Sequence, residues 1–331
     1  MLPHCEQLRP ANDVLVVLRL LISASCDTMT VARLVACPDY RRQRPIKQDT
    51  ELITMTLKIT SLVENTKSDE LLACEHGLSL LVEWRDKTYL LDTGASDLFM
   101  ENADTLGKDL SKADYVILSH GHSDHSGGIR TLCQTTRKKF HLVLHTRFFD
   151  KKFKQDDEYL RYIGNDFNEE FLQIENVATI FPLVDTFALE KDVYILSDIP
   201  PVADFENEPA GFVVLSAGKY GQDEFADEQI LVFDLPQGLV VLTGCCHRGV
   251  VNTCETVKKR LQRPIHAIIG GLHMKDSGEA RIEQTAAYLR EEGISVLATG
   301  HCTGERAQLC LEAAGPEIRP LSSGTIIEFD D

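Results

Sequence analysis

Residues 114–128 read DYVILSHGHSDHSGG, an apolar run that opens into a turn carrying His120, His122, Asp124 and His125. In extended or turning backbone, residues two apart project the same way. His120 and His122 can therefore grip one ion while Asp124 and His125 turn toward a second position. Gly121, Ser123 and Ser126 are small enough to let the turn curl that tightly. Imidazoles with a carboxylate are borderline-to-hard donors, so the expected cofactor is a pair of divalent cations, zinc first and manganese or iron as alternatives.

Two such ions need further donors from distant parts of the chain. His247 in LVVLTGCCHRG, His273 in AIIGGLHM and His301 in VLATGHCTG each follow a β-branched run, and loops leaving the same ends of several strands are where α/β sites assemble. His247 and His301 are the expected ligands. His273 reads as a contact to substrate or to a ligand. A metal pair about 3.5–4 Å apart lowers the pKa of a shared water, holds the resulting hydroxide for attack and stabilises charge on a departing oxygen. Asp124 would orient that water as well as bind metal, and His273 would donate a proton or hydrogen bond to the leaving group.

Short β-branched runs alternate with helical patterns, as expected for mixed α/β layers. Strands are expected at 55–63, 79–84, 88–92, 114–118, 141–145, 193–197, 229–234, 239–243, 265–269, 295–298 and 324–329. Helices are expected at 97–106, 126–137, 249–262, 278–292 and 304–314, the last two ending at Gly293 and Gly315. Segments 150–175 and 198–227 are charged, aromatic-dotted and irregular, and read as insertions that cover a site or decorate a surface. Residues 1–54 read as a disordered or non-native extension, and the domain is expected over 55–331. The apolar run 14–24 is broken by Arg19 and is too short to span a bilayer.

With 34 Lys and Arg against 51 Asp and Glu, the net charge is −17. That balance disfavours a sequence-independent grip on nucleic acid or on an anionic membrane, so a small-molecule substrate is expected. Ten dilute cysteines without a repeating framework point to free thiols and a cytoplasmic location. The oligomeric state is left open.

The turn at 120–125 resembles the metal-binding loop of the metallo-β-lactamase-fold hydrolases, and the likeness extends over roughly residues 55–330. LLDTGAS (90–96), LSHGHSDHSGG (118–128), TGCCHRGVVNT (243–253), GGLHM (270–274) and GHCTG (300–304) together resemble the branch named for 7,8-dihydropterin-6-methyl-4-(β-D-ribofuranosyl)aminobenzene-5′-phosphate synthase. The resemblance implies a four-layer αββα sandwich with two metals at one edge of the sheets. It places His120, His122 and His247 on the first metal, Asp124, His125 and His301 on the second, and Asp92 as a hydrogen-bonding support of the metal loop. Many relatives carry a metal-bridging aspartate where this chain has Gly244-Cys245-Cys246. Cys245 could supply a thiolate there, although a small buried residue is the commoner role. The implied activity is hydrolysis of a small anionic or phosphorylated substrate by a metal-bound hydroxide. One alternative is transfer of a dihydropterin-methyl group with release of diphosphate. Another is a metal-binding protein without catalysis. Lys219, Arg248 and Arg306 are the near-motif candidates for holding phosphates.

Overall fold

Burial along the strands switches face with every residue, and the two faces pack against different partners. In the strand Gly238–Thr243, Val240 and Leu242 face a core shared by two sheets, while Leu239 and Val241 face a second core under helices. The period of two requires this of a strand buried on both sides. The computed structural model describes residues 56–136, 139–206 and 209–330; the extension expected over 1–54 lies outside the described residues.

The first sheet contains β1 (Thr56–Val63), β2 (Ser79–Trp84), β3 (Lys87–Leu91), β4 (Tyr115–Ile117), β5 (His141–Val143), β8 (Ala178–Ile180) and β18 (Ile326–Asp330), in the order β18-β1-β2-β3-β4-β5-β8. The second contains β9 (Thr186–Glu190), β10 (Val193–Leu196), β13 (Ile230–Leu235), β14 (Gly238–Thr243), β15 (Ile265–Gly270), β16 (Val296–Thr299) and β17 (Glu317–Ile318), in the order β17-β16-β15-β14-β13-β10-β9. Leu80, Val82, Tyr89 and Leu91 of the first meet Ile195, Phe233, Val240 and Ile269 of the second in the central core. Outside the first sheet, α1 (Leu98–Thr105) and α3 (Ile129–Thr135) cover Leu81, Leu90 and Val116. Outside the second, α5 (Val250–Leu261), α6 (Glu279–Glu291) and α7 (Glu305–Ala314) cover Val241, Ile268 and Leu297. The result is the four-layer αββα sandwich. Each fully buried Leu, Ile or Val contributes roughly 1.5–3 kcal/mol, so these three cores dominate the fold's stability.

Parallel pairing puts the chemistry at one edge. β3, β4 and β5 run parallel in the first sheet, as do β14, β15 and β16 in the second. Their carboxyl ends release Asp92, the 118–126 turn, the 244–247 loop, His273 and His301.

The structure departs from the expected elements at the metal turn and in the two insertions, and it adds β8, β9 and β17, where no strand was expected. The helix expected over 126–137 is two pieces, α2 (Ser123–Ser126) and α3, because Gly127 and Gly128 press against the backbone of residues 93–96. Asp124 and His125 therefore sit on a helical turn rather than in open loop. The two irregular insertions hold a third sheet, β12-β11-β6-β7, from β6 (Lys151–Asp156), β7 (Tyr159–Tyr162), β11 (Phe212–Ser216) and β12 (Lys219–Gln222). α4 (Glu169–Ile174) lies in the first of these insertions. Among the described residues, no helix is long and apolar enough to cross a membrane.

Candidate metal centre

Imidazole nitrogens from four loops converge at the edge of the sandwich. His120 Nε2 lies 2.9 Å from His122 Nδ1 and 3.3 Å from His247 Nε2. Beside them, His125 Nε2 lies 3.2 Å from both His301 Nε2 and Cys245 Sγ. Asp124 Oδ2 is 3.5 Å from His301 Nε2 and 3.3 Å from His76 Nε2. The donors fall into three overlapping groups, His120–Cys245–His247, His125–Cys245–His301 and His76–Asp124–His301, each with its ligand atoms within 4.8 Å of one another.

The remote ring nitrogens fix which nitrogens carry protons. Asp92 Oδ2 accepts from His125 Nδ1 at 2.6 Å and from the Ser119 hydroxyl at 2.7 Å. With its proton given to Asp92, the Ser119 oxygen accepts from His120 Nδ1 at 2.9 Å. Asn65 Oδ1 lies 3.2 Å from His301 Nδ1, and the Asn65 amide is held in register by donating to the His301 carbonyl. Each of these three rings is thereby set to turn its Nε2 toward the interior. That is how proteins orient histidines for metal binding. Imidazole nitrogens gathered this closely, with a thiol and a carboxylate beside them, fit a divalent metal.

Charge follows the same division. Burial and the neighbouring imidazoles push His120 and His247 far below the ordinary histidine range, and burial takes His122 down to about 3. These rings are neutral at physiological pH, as ligands must be. Burial also opposes charge on His125, but Asp92 and Asp124 outweigh it and hold that ring up to about 9. The same two carboxylates would favour a cation at that point. For Asp124, burial is outweighed by His125 and His301, and its carboxyl is held well below the usual range.

Backbone strain gathers here. Asp92, Cys246, His273 and His301 all have positive φ, between 43° and 61°, a region that costs non-glycine residues of order 1–3 kcal/mol and concentrates at functional sites. Gly244 has an ordinary φ but no room: a Cβ there would fall 2.0 Å from Ser119 Oγ and 3.0 Å from Asp92 Oδ2.

His122, Asp124, Cys245, His247 and His301 line a cavity of about 330 Å³, which also exposes His76, Lys154, Arg161, Phe212, His273, Lys275 and Asp276; His120 and His125 are fully buried beside it. A second chamber of about 550 Å³ shares Lys154, Phe212, His273 and Asp276 with it. Lys154 holds its ammonium 3.8 Å over the Phe212 ring. His273 packs at 4.2 Å against His247, within the cavity wall rather than among the closest donors. Lys219, Arg248 and Arg306 are absent from that wall. Lys219 stands exposed on the β11–β12 hairpin, Arg248 donates to the carbonyls of Ile199 and Glu224 behind the metal loop, and Arg306 donates to the Ser277 carbonyl. The cations at the cavity are Lys154 and Arg161 from the third sheet and Lys275 from the loop after β15.

A set of buried carboxylates escaped the sequence reading. Asp227 Oδ2 accepts Gly121 N at 2.8 Å, and Glu228 accepts His247 N at 2.6 Å and Arg248 N at 2.9 Å. Asp227 is in turn held by Lys152 Nζ at 2.6 Å, with Asp223 on the same ammonium at 3.0 Å. Together with Asp92 on Ser119 N, these groups fix the backbone on both sides of His120 and at His247. Their sequence signal, ADEQI at 226–230, is too ordinary to single out. His76 was missed as well; it stacks on His301 with ring centroids 4.9 Å apart.

Residues 73–208 match the family described as the Metallo-beta-lactamase superfamily. The chain is 29% identical over 270 residues to 7,8-dihydropterin-6-methyl-4-(beta-D-ribofuranosyl)-aminobenzene-5'-phosphate synthase of Methanocaldococcus jannaschii, covering 77% of this chain and 90% of that protein. YhfI from Bacillus subtilis, a metallo-beta-lactamase fold protein, shares the fold at 16% identity and a TM-score of 0.51, over 83% of this chain and all of that one. The crystal structure of Tm1679, a metal-dependent hydrolase of the beta-lactamase superfamily, aligns with 83% of this chain and 100% of its own at 32% identity and a TM-score of 0.73. With that identity sustained over a whole solved relative, this chain belongs to the metallo-β-lactamase superfamily.

Proposed function

We propose that the protein is a metal-dependent hydrolase that acts on a small anionic substrate at a dinuclear centre. The observation that carries this reading is the opening of two adjoining donor groups onto one cavity whose wall bears three cations. Divalent ions held there would supply an activated water at neutral pH and neutralise charge on the leaving oxygen. His120, His122 and His247 would hold one ion, and Asp124, His125 and His301 the other. Zinc is the first choice and manganese or iron the alternatives.

The remaining residues have roles in placing substrate. Lys154, Arg161 and Lys275 would draw an anion into a protein whose overall charge repels it. Phe212 offers an apolar face between the two chambers. Asp124, ionised and directed at the cavity, would orient the attacking water, and His273 would pass a proton or hydrogen bond to the departing group. Burial and the Arg281 charge hold His273 down to about 4, so its ring is neutral at pH 7 and acts there as a hydrogen-bond donor. A purely metal-storing role fits less well, because storage sites are closed whereas these donors border a cavity.

Transfer is the second reading, favoured by the 29% identity to a named synthase over 90% of that protein. The same donors would neutralise a diphosphate leaving group. Metal analysis of purified protein, with a panel of phosphodiester, lactone, thioester and pterin diphosphate substrates, tests both. Water-dependent cleavage supports the hydrolase. Diphosphate release only when both synthase substrates are present supports transfer, and no turnover with a fully metallated protein sinks both.

A further inference from the structure

We propose that the Cys245 sulfur bridges the two metal ions. The inference rests on the dinuclear reading above and adds a ligand to it. Cys245 Sγ is the one atom common to both histidine groups, within 4.8 Å of His120 and His247 on one side and of His125 and His301 on the other. It stands 3.2 Å from His125 Nε2, and its residue is buried yet faces the cavity. The carboxylate of Asp124 lies to one side, near His76 and His301. It appears in neither group that contains His120 or Cys245.

The local backbone is built to present this sulfur. Gly244 allows the chain to pass against Ser119 and Asp92. The Cys245 carbonyl takes the Cys302 thiol at 3.4 Å, and His247 two residues on is fixed by Glu228. Cys246 points away into the core beside Thr253, so the two adjacent cysteines have separate roles. Coordination replaces the S–H bond by bonds from sulfur to metal, and the proton leaves to solvent. A thiolate bridge is soft, which ranks zinc and iron above manganese at this centre.

Cobalt titration of the full-length, metal-free protein tests this without relying on turnover. A near-ultraviolet thiolate-to-cobalt charge-transfer band is expected, growing through the second equivalent of cobalt because both ions share the sulfur. Cys245→Ser should lose the band, and Cys302→Ser should keep it. A band that saturates at one equivalent would make Cys245 a terminal ligand and overturn the bridge. Two bound cobalt ions without any band would overturn the ligand assignment while leaving the dinuclear reading intact. Failure to bind cobalt at all would remove that reading and the bridge with it. The wild-type titration decides these cases even where a variant fails to fold.

Discussion

His125 and His301 present Nε2 to Nε2 at 3.2 Å, and each has its other ring nitrogen engaged, one by Asp92 and one by Asn65. A cation shared by the two Nε2 atoms is held only in the folded arrangement, so metal binding and stability are linked. Chelation should therefore lower the melting temperature of the protein. Excess metal should restore it, adding about 2.7 kcal/mol of stability at a free concentration one hundred times Kd. A melting temperature indifferent to chelator and metal would refute the linkage.

Asp124 and His122 are assigned to different ions, which lets their variants be told apart. Asp124→Ala and His122→Ala should each abolish turnover and leave far-ultraviolet circular dichroism close to wild type, because both side chains point into the cavity rather than into a core. Each should retain fewer metal equivalents by elemental analysis. Asn65→Ala should be milder. It removes a support of His301 rather than a donor, and losses of such supports weaken metal affinity by about 10–100-fold. Full activity in Asp124→Ala would count decisively against the proposed chemistry.

Lys154, Arg161 and Lys275 predict how substrate charge is read. Lys154→Ala and Lys275→Ala should raise KM for an anionic substrate by about ten- to hundredfold, the roughly 1.5–3 kcal/mol of one charge-assisted hydrogen bond. Effects on kcat should be smaller, and a neutral analogue should be handled almost equally by variant and wild type. Lys219→Ala serves as the control, since it lies exposed on a hairpin outside the cavity. A larger KM effect for Lys219→Ala than for Lys154→Ala would reverse the assignment.

What the sequence disclosed and what it hid divide along sequence distance. Residues 120–125 were legible because the donors lie within six positions of one another, and His247 and His301 because each directly follows a β-branched strand. The strands at 79–84, 193–196 and 265–270 were legible from composition alone. The third sheet was not, because β6 pairs with β11 across a long gap and carries Lys152 at a buried position. A buried lysine breaks the apolar alternation from which strands are recognised. Its partners Asp223 and Asp227 lie 71 and 75 residues further along the chain. For the same reason the cavity cations were assigned to Lys219, Arg248 and Arg306, which are near the motifs in sequence, rather than to Lys154 and Arg161, which a folded hairpin brings over them.

The Lys152–Asp227 pair predicts a pH signature in the metal-free protein. Burial would raise the Asp227 carboxyl, but Lys152 outweighs it and holds it below the ordinary value. A depressed carboxyl adds stability above its unfolded pKa, about 3.9, and that stability is lost as pH falls through the lower folded pKa. Lys152 is shifted upward, mainly by the two aspartates against the opposing effect of burial. Its contribution is therefore present below about 10.4 and lost as pH rises through the folded value. Asp227→Asn should cost about 3 kcal/mol, the low end for breaking a buried ion pair because Asp223 still faces Lys152. In urea unfolding, the gap between wild type and variant should stay level between about pH 5 and 9 and narrow below about 4. A gap that widens in acid would contradict the assignment.

Gly244 offers the most direct test that the hydrogen-bonded frame, and not only the ligands, makes the site. Its missing Cβ leaves space that Ser119 Oγ and Asp92 Oδ2 occupy, and those two groups orient His120 and His125. Gly244→Ala must displace Ser119, because the clash is with a short side chain locked between two hydrogen bonds. The expected cost is about 1–3 kcal/mol of stability from overpacking, together with about a 10–100-fold loss of metal affinity. Gly221→Ala, where nothing lies within 4 Å and the backbone needs no positive φ, should be neutral in both measurements. Competition with a chromophoric zinc chelator reads the affinity, and urea unfolding reads the stability. If Gly244→Ala binds metal as tightly as Gly221→Ala, the Asp92–Ser119–His120 chain does not control the centre.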